Sequence, residues 1–391
     1  MKKTNFMATA FVLIFIILIT AYGGTKGQAA VDKYQVYFGG GATGDQEGIF
    51  TSVLDMKTGQ LTEAKLAGEA KQPGIITIHP AGTHLYSVGH PAGYTGPRSG
   101  SVCAFKINPA TGALKLLNSQ SSQGKGASYL ILDPKGRNIL ICHYFSGNCA
   151  VLPLAQDGSL KPASSVQQHT GSSVNPTRQT APHPHSIILD SAGRYAFVAD
   201  LGLDQVLIYK FDSTKGTLTP NDPPFVAVTP GAAPRHFVFH PSEKFAYTNL
   251  ELTSEVTAFH YDSARGALTE FQTVSTLPKD FAGRNANAGI CVTPDGRFLY
   301  VSNRGHNSIA QFAVDSNSGT LALLGNESTR GDVPQTIAID PTGSYLLVTD
   351  KQSDHISVFK IDKETGGLAY TGSNINVPTA GSIQFRPIIP L

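Results

Sequence analysis

Apolar and polar residues alternate with a period of two along most of this chain, in short runs broken by Gly, Pro, Asn and Asp. Such alternation predicts half-buried strands, and no stretch carries a convincing helical period. The clearest example is TPDGRFLYVSNRGHNSIAQFAVDSNSGTL, residues 293–321. A Pro-Asp-Gly turn at 294–296 precedes an apolar strand from Phe298 to Ser302. The polar corner Asn303-Arg304-Gly305-His306-Asn307 leads to a second strand, Ile309 to Val314, and then to the hairpin turn Ser318-Gly319-Thr320-Leu321.

This unit recurs. Gly-x-Leu turns end at leucines 61, 114, 160, 218, 268, 321 and 368, about 51 residues apart on average. The turn-plus-strand signature recurs as HPAGTHLYSV (79–88), DPKGRNILIC (133–142), DSAGRYAFVA (190–199), HPSEKFAYTN (240–249), TPDGRFLYVS (293–302) and DPTGSYLLVT (340–349). A seventh copy is split between VYFGG (36–40) and SIQFRPI (382–388). Four short strands per repeat at this period predict an all-β, seven-bladed β-propeller of antiparallel blades. The split copy predicts a ring closed by pairing of the N- and C-terminal strands, which leaves no end blades to separate.

The N-terminus departs from the pattern. Lys2 and Lys3 precede an apolar core from Phe11 to Ile19, followed by the small residues Gly27, Ala29 and Ala30. The core is shorter than the roughly 20 residues a membrane span needs, so residues 1–30 read as a cleavable secretory signal. Residues 31–391 then form a single propeller, exported to the periplasm or beyond and expected to act as a soluble monomer. Formal net charge is +2 with no basic block, which gives no support to a nucleic-acid partner. Cys103, Cys142, Cys149 and Cys291 are too few for a disulfide framework. Cys142 and Cys149 flank one strand corner, leaving a bridge open in an exported protein.

Topology alone locates a candidate site. The strand before each Asp-Pro or His-Pro turn and the strand after it are antiparallel neighbours, so the start of one and the end of the other share a rim. Starts fall at Gly74, Ser128, His185, Arg235, Ala288, Gln335 and Gly381. Ends fall at His90, His143 with Tyr144, Asp200, Glu251, Asn303 with Arg304, and Asp350 with Lys351. That rim collects imidazoles, carboxylates and guanidiniums, groups whose crowding shifts pKa values. His183 and His185 form a His-x-His pair, but without a third ligand at fixed spacing they define no metal site. A rim arginine such as Arg235 is expected to contribute little to stability.

At PHPHS (182–186), PRHFVFHP (234–241) and FLYVSNRGH (298–306) the chain resembles the seven-bladed β-propeller lactonases, which include 6-phosphogluconolactonases and carboxy-muconate lactonising enzymes. The resemblance covers residues 34–390 and implies a rim active site that opens or forms a lactone without metal or organic cofactor. It carries catalytic roles to His185, Arg235, Glu251 and Arg304, with His183, His236, Asp200, Asn303 and His306 beside them as substrate contacts. The chain departs from the family pattern at Gly289, Cys291, Gln335 and Asp350. The expected function is hydrolysis of a small sugar-type or acidic lactone, with His185 or Glu251 as base and Arg235 and Arg304 facing the oxyanion. Because 6-phosphogluconolactone is cytosolic, an exported enzyme is expected to meet another lactone. The alternatives are a cycloisomerase acting on an unsaturated dicarboxylate, and a non-catalytic propeller binding a ligand or protein.

Overall fold

The computed structural model describes residues 31–40, 47–93, 100–389. The expected secretory signal, residues 1–30, lies outside them. Within the compact unit Val31–Leu391 every regular element of the described residues is a strand, and the strands form seven antiparallel sheets. Six blades are contiguous in sequence. Their inner strands are Ile76–Ile78, Ala127–Leu132, Pro184–Leu189, Pro234–Phe239, Ala286–Val292 and Pro334–Ile339, here blades 1 to 6. Blade 7 takes its inner strand, Ser382–Pro387, from the C-terminus and pairs it with Lys33–Gly39, in register from Tyr34 opposite Pro387 to Gly39 opposite Ser382. This sheet also gains a short fifth segment, His90–Pro91, beyond the four expected. The ring is therefore closed by the two chain ends.

The repeated sequence signals hold the blades together. Apolar residues of adjacent sheets interlock in clusters such as Phe197, Phe237, Phe259 and Tyr261 between blades 3 and 4. A tyrosine on the second strand of a blade donates its hydroxyl to the glycine carbonyl in the next blade's Gly-x-Leu turn. Tyr37 reaches Gly112, Tyr86 reaches Gly158, Tyr247 reaches Gly319 and Tyr300 reaches Gly366, all at 2.8–2.9 Å. Gly319 and Gly366 have φ of 74° and 72°, and a Cβ there would strike the rings of Phe245 and Phe298. Glycine is required by both backbone and neighbour. The regular spacing of the Gly-x-Leu turns thus records a docking contact between blades.

Cys142 and Cys149 lie directly opposite one another on adjacent strands of blade 2, and both are buried free thiols. Burial pushes the Cys142 thiol up to about 12.

Candidate active site

Two strand features build the mouth of the ring. The inner strands begin there, each directed along the central axis, and the second strands end there. Because successive strand residues face opposite ways, neighbouring positions at a strand end have different fates. His143, Asp200, Asn303 and Asp350 are turned between blades and are almost wholly buried. The residues one step further, Tyr144 and Arg304, are part-exposed at the mouth, and Glu251 occupies the corresponding place after Leu250.

The inward-turned positions join each blade to the end of the preceding blade's outer strand. His143 Nε2 lies 2.9 Å from Ser122 Oγ, and Asp200 Oδ2 lies 2.7 Å from His169 Nδ1. Asn303 Oδ1 accepts from Thr276 Oγ1 at 2.8 Å. Asp200 Oδ1 also accepts from the backbone N–H of His183 at 2.7 Å and of Gly202 at 3.0 Å. Asp200 and Asn303, expected as substrate contacts, are thus fully hydrogen-bonded inside the wall. His306 sits outside the axis, against Ser308 Oγ at 2.6 Å and the edge of Phe281.

The other predicted residues converge. His185, Arg235 and His236 line a central cavity of about 300 Å³. Glu251 stands beside it with Oε2 3.0 Å from Arg235 Nε and 2.9 Å from Arg304 Nη2. The Arg235 approach is an ion pair without hydrogen-bond alignment. Arg235 Nη1 donates to the Ala288 carbonyl at 2.5 Å and lies 3.0 Å from His236 Nε2. Since guanidinium can only donate, that nitrogen accepts and His236 carries its proton on Nδ1. His183 donates from Nδ1 to the Tyr144 carbonyl at 2.8 Å and stacks on the Tyr144 ring, which meets His185 edge-on.

Arg178 was not anticipated from sequence. Its Nη2 meets Glu251 Oε1 at 2.5 Å, so three guanidiniums clasp one carboxylate. It belongs to the connection between blades 2 and 3, where neither strand periodicity nor the repeat gives a position. The only local signal was turn chemistry: Asn175 Oδ1 accepts from the backbone N–H of Thr177 and Arg178.

The charges sort the roles. Burial alone would raise the Glu251 carboxyl, but Arg235 and Arg304 outweigh it and hold the group at about 2. Burial, helped by the Arg235 charge, depresses His185 to about 3, so its imidazole is neutral at physiological pH. Its Nδ1 is buried without a hydrogen-bond partner. Burial also lowers Arg235, to about 10, which leaves it cationic. Apart from Arg235, the cavity wall carries no formally charged side chain among the described residues. Blades 1, 2, 6 and 7 present Thr77, Ser128, Gln335, Thr336, Ser382 and Gln384.

Known proteins share this architecture. The family model described as lactonase, 7-bladed beta-propeller, matches residues 35–385. The 6-phosphogluconolactonase of Bacillus subtilis (strain 168) is 38% identical over 303 residues, which is 78% of this chain and 84% of that protein. The 6-phosphogluconolactonase of Formosa agariphila is 31% identical over 308 residues, 77% of this chain and 85% of that protein. Among solved structures, the periplasmic gluconolactonase of Pseudomonas aeruginosa superposes with a TM-score of 0.85 at 31% identity, covering 91% of this chain and 100% of that chain.

Proposed function

The chain belongs to the seven-bladed β-propeller lactonase family, and from that premise we propose that it hydrolyses a small sugar-type lactone at the mouth of its central cavity. The observation that carries this reading is the side-by-side placement of His185 and Arg235 in the cavity wall. Water attacks the ring carbonyl and the neutral imidazole of His185 takes its proton. Glu251 is a poor base because both its oxygens are engaged by guanidiniums, whereas the neutral His185 imidazole lines the cavity. Arg235 faces the developing oxyanion, while Glu251 and Arg304 fix its orientation. Collapse of the tetrahedral intermediate breaks the ring C–O bond. The proton returns to the alkoxide leaving group, giving a hydroxy acid.

The wall opposite Arg235 suits a hydroxyl-rich ring. The Gln335 and Gln384 amides there can donate to and accept from sugar hydroxyls, whereas Ser128 Oγ and Thr336 Oγ1 donate to the Pro184 and Gly381 carbonyls. Export from the cytoplasm is part of the proposal. It rests on Lys2-Lys3, the short apolar core and the small residues at 27–30, and on likeness to a periplasmic gluconolactonase. A pH-stat assay of the purified protein against a panel of sugar, aliphatic and aromatic lactones tests the reading. Acid release above the spontaneous rate is expected for the sugar lactones, and a panel opened only at that rate would overturn it.

A further inference from the structure

The three guanidiniums around Glu251 are not equivalent. Arg235 has a side-chain exposure of 2% and Arg304 of 22%, whereas Arg178 retains 41%. Arg235 and Arg304 also donate to the backbone carbonyls of Ala288 and Asn287. Arg178 is bound through Nη2 to Glu251 Oε1, the oxygen on the opposite side of the carboxylate from the other pair. Burial works against its charge, but Glu251 and then Tyr144 outweigh it and raise the guanidinium further. It is therefore the most solvent-exposed cation of the cluster.

The backbone beneath Arg178 is unusually well fixed for a connection between blades. The N–H of Ser173 donates to the Gln179 carbonyl at 2.9 Å, and the N–H of Gln179 to the Asn175 carbonyl at 3.0 Å. The buried Gln179 side chain closes the loop, accepting from Asn175 N at 3.0 Å and donating to the Leu201 carbonyl at 2.9 Å. Ser173 Oγ bonds Asp204 Oδ2, tying the loop to the neighbouring hairpin. The guanidinium above this fixed backbone is held against Glu251 and offers a planar, multi-pronged donor. Charge makes the same point. Three cations face one carboxylate while His185 and His236 are depressed into the neutral range, leaving excess positive charge in a part-desolvated mouth. Such a cluster attracts an anion.

We propose that Arg178 is a specificity-determining residue that receives an anionic substituent, phosphate or carboxylate, on the lactone. This rests on the lactonase reading above. The test compares wild type, Arg178→Ala and Arg178→Lys on gluconolactone, its 6-phosphate and its 6-carboxylate counterpart. The ratio of kcat/KM for an anionic lactone to that for the neutral one should fall at least about tenfold in Arg178→Ala, with part of the ratio kept by Arg178→Lys. The two anionic arms distinguish phosphate from carboxylate. Equal losses on all three lactones would overturn the proposal and leave Arg178 a structural clamp on Glu251. Calorimetric titration with inorganic phosphate separates this from failure of the lactonase reading. If wild type opens none of the lactones, phosphate affinity at least about tenfold weaker in Arg178→Ala still supports the assignment. Unchanged affinity, or no binding to wild type, overturns it.

Discussion

At the scale of single residues, the mouth is a buried ionic cluster rather than a polar surface. Sequence reasoning placed Arg235 on a rim and expected little effect on stability, yet it is among the largest fully buried side chains. Strand position gives the direction of a side chain but not how much protein closes over it. Here Glu251 pairs with it inside the wall, and its guanidinium donates to the Ala288 carbonyl. Breaking such a pair leaves uncompensated charge in a low-dielectric setting. Glu251→Gln, which leaves three guanidiniums without their anion, should therefore destabilise the fold by about 3–5 kcal/mol at pH 7. The pH dependence has a fixed sign. Glu251 is held at about 2, below its unfolded value, so its contribution is present at neutral pH and is lost as pH falls through that value. Denaturant titrations of wild type and Glu251→Gln should show a gap that closes between about pH 4 and pH 2. A gap independent of pH would mean that packing, not charge, is lost.

At the scale of strands and turns, most of what the sequence displayed was architecture. The Gly-x-Leu turns, the Asp-Pro and His-Pro turns and the two-residue alternation place every blade, because each records a local backbone requirement. The strand ends were read less well. Topology grouped Asp200, Asn303 and Asp350 with Glu251 and Arg304, although a single step along the strand separates wall from mouth. Asp350 occupies one of these wall positions without the partner that Asp200 has. Asp200 is matched by His169, but both Asp350 oxygens are buried without a hydrogen bond, and His355 Nε2 stands 3.5 Å away without alignment. Burial raises Asp350 to about 7, opposed by Thr329 and assisted by the charge of Asp332. The folded value lies above the unfolded one, so the protonated group is tolerated and ionisation weakens the fold as pH rises from about 4 through 7. Asp350→Asn should therefore stabilise the protein on the order of 1–3 kcal/mol at pH 8 and hardly at pH 4. Melting curves at the two pH values check this. An equal effect at both would show that folding does not raise the Asp350 carboxyl above its unfolded value.

At the scale of the whole molecule, the ring and its terminal clasp were legible because a repeat is read seven times and each copy corrects the others. The candidate site was legible where it lies on the repeat: His185, Arg235 and His236 lie at the starts of inner strands and line the cavity. It was illegible at Arg178, since a connection between blades obeys no period and its fold depends on the Asn175 and Gln179 contacts. Closing a ring also brings the starts of all inner strands together at one mouth, while the Pro-Asp-Gly turns lie on the opposite rim. The central claim is that the mouth is where lactone is opened. It is tested most directly by kcat/KM on the lactone that wild type opens fastest, measured for His185→Ala and for Arg297→Ala on the opposite rim. Arg297 bonds its own turn and the Lys363 and Glu364 segment, far from the cavity wall. The account predicts a loss of at least about 100-fold for His185→Ala, with melting temperature retained, and a change within about twofold for Arg297→Ala. Equal turnover by the two folded variants would contradict it.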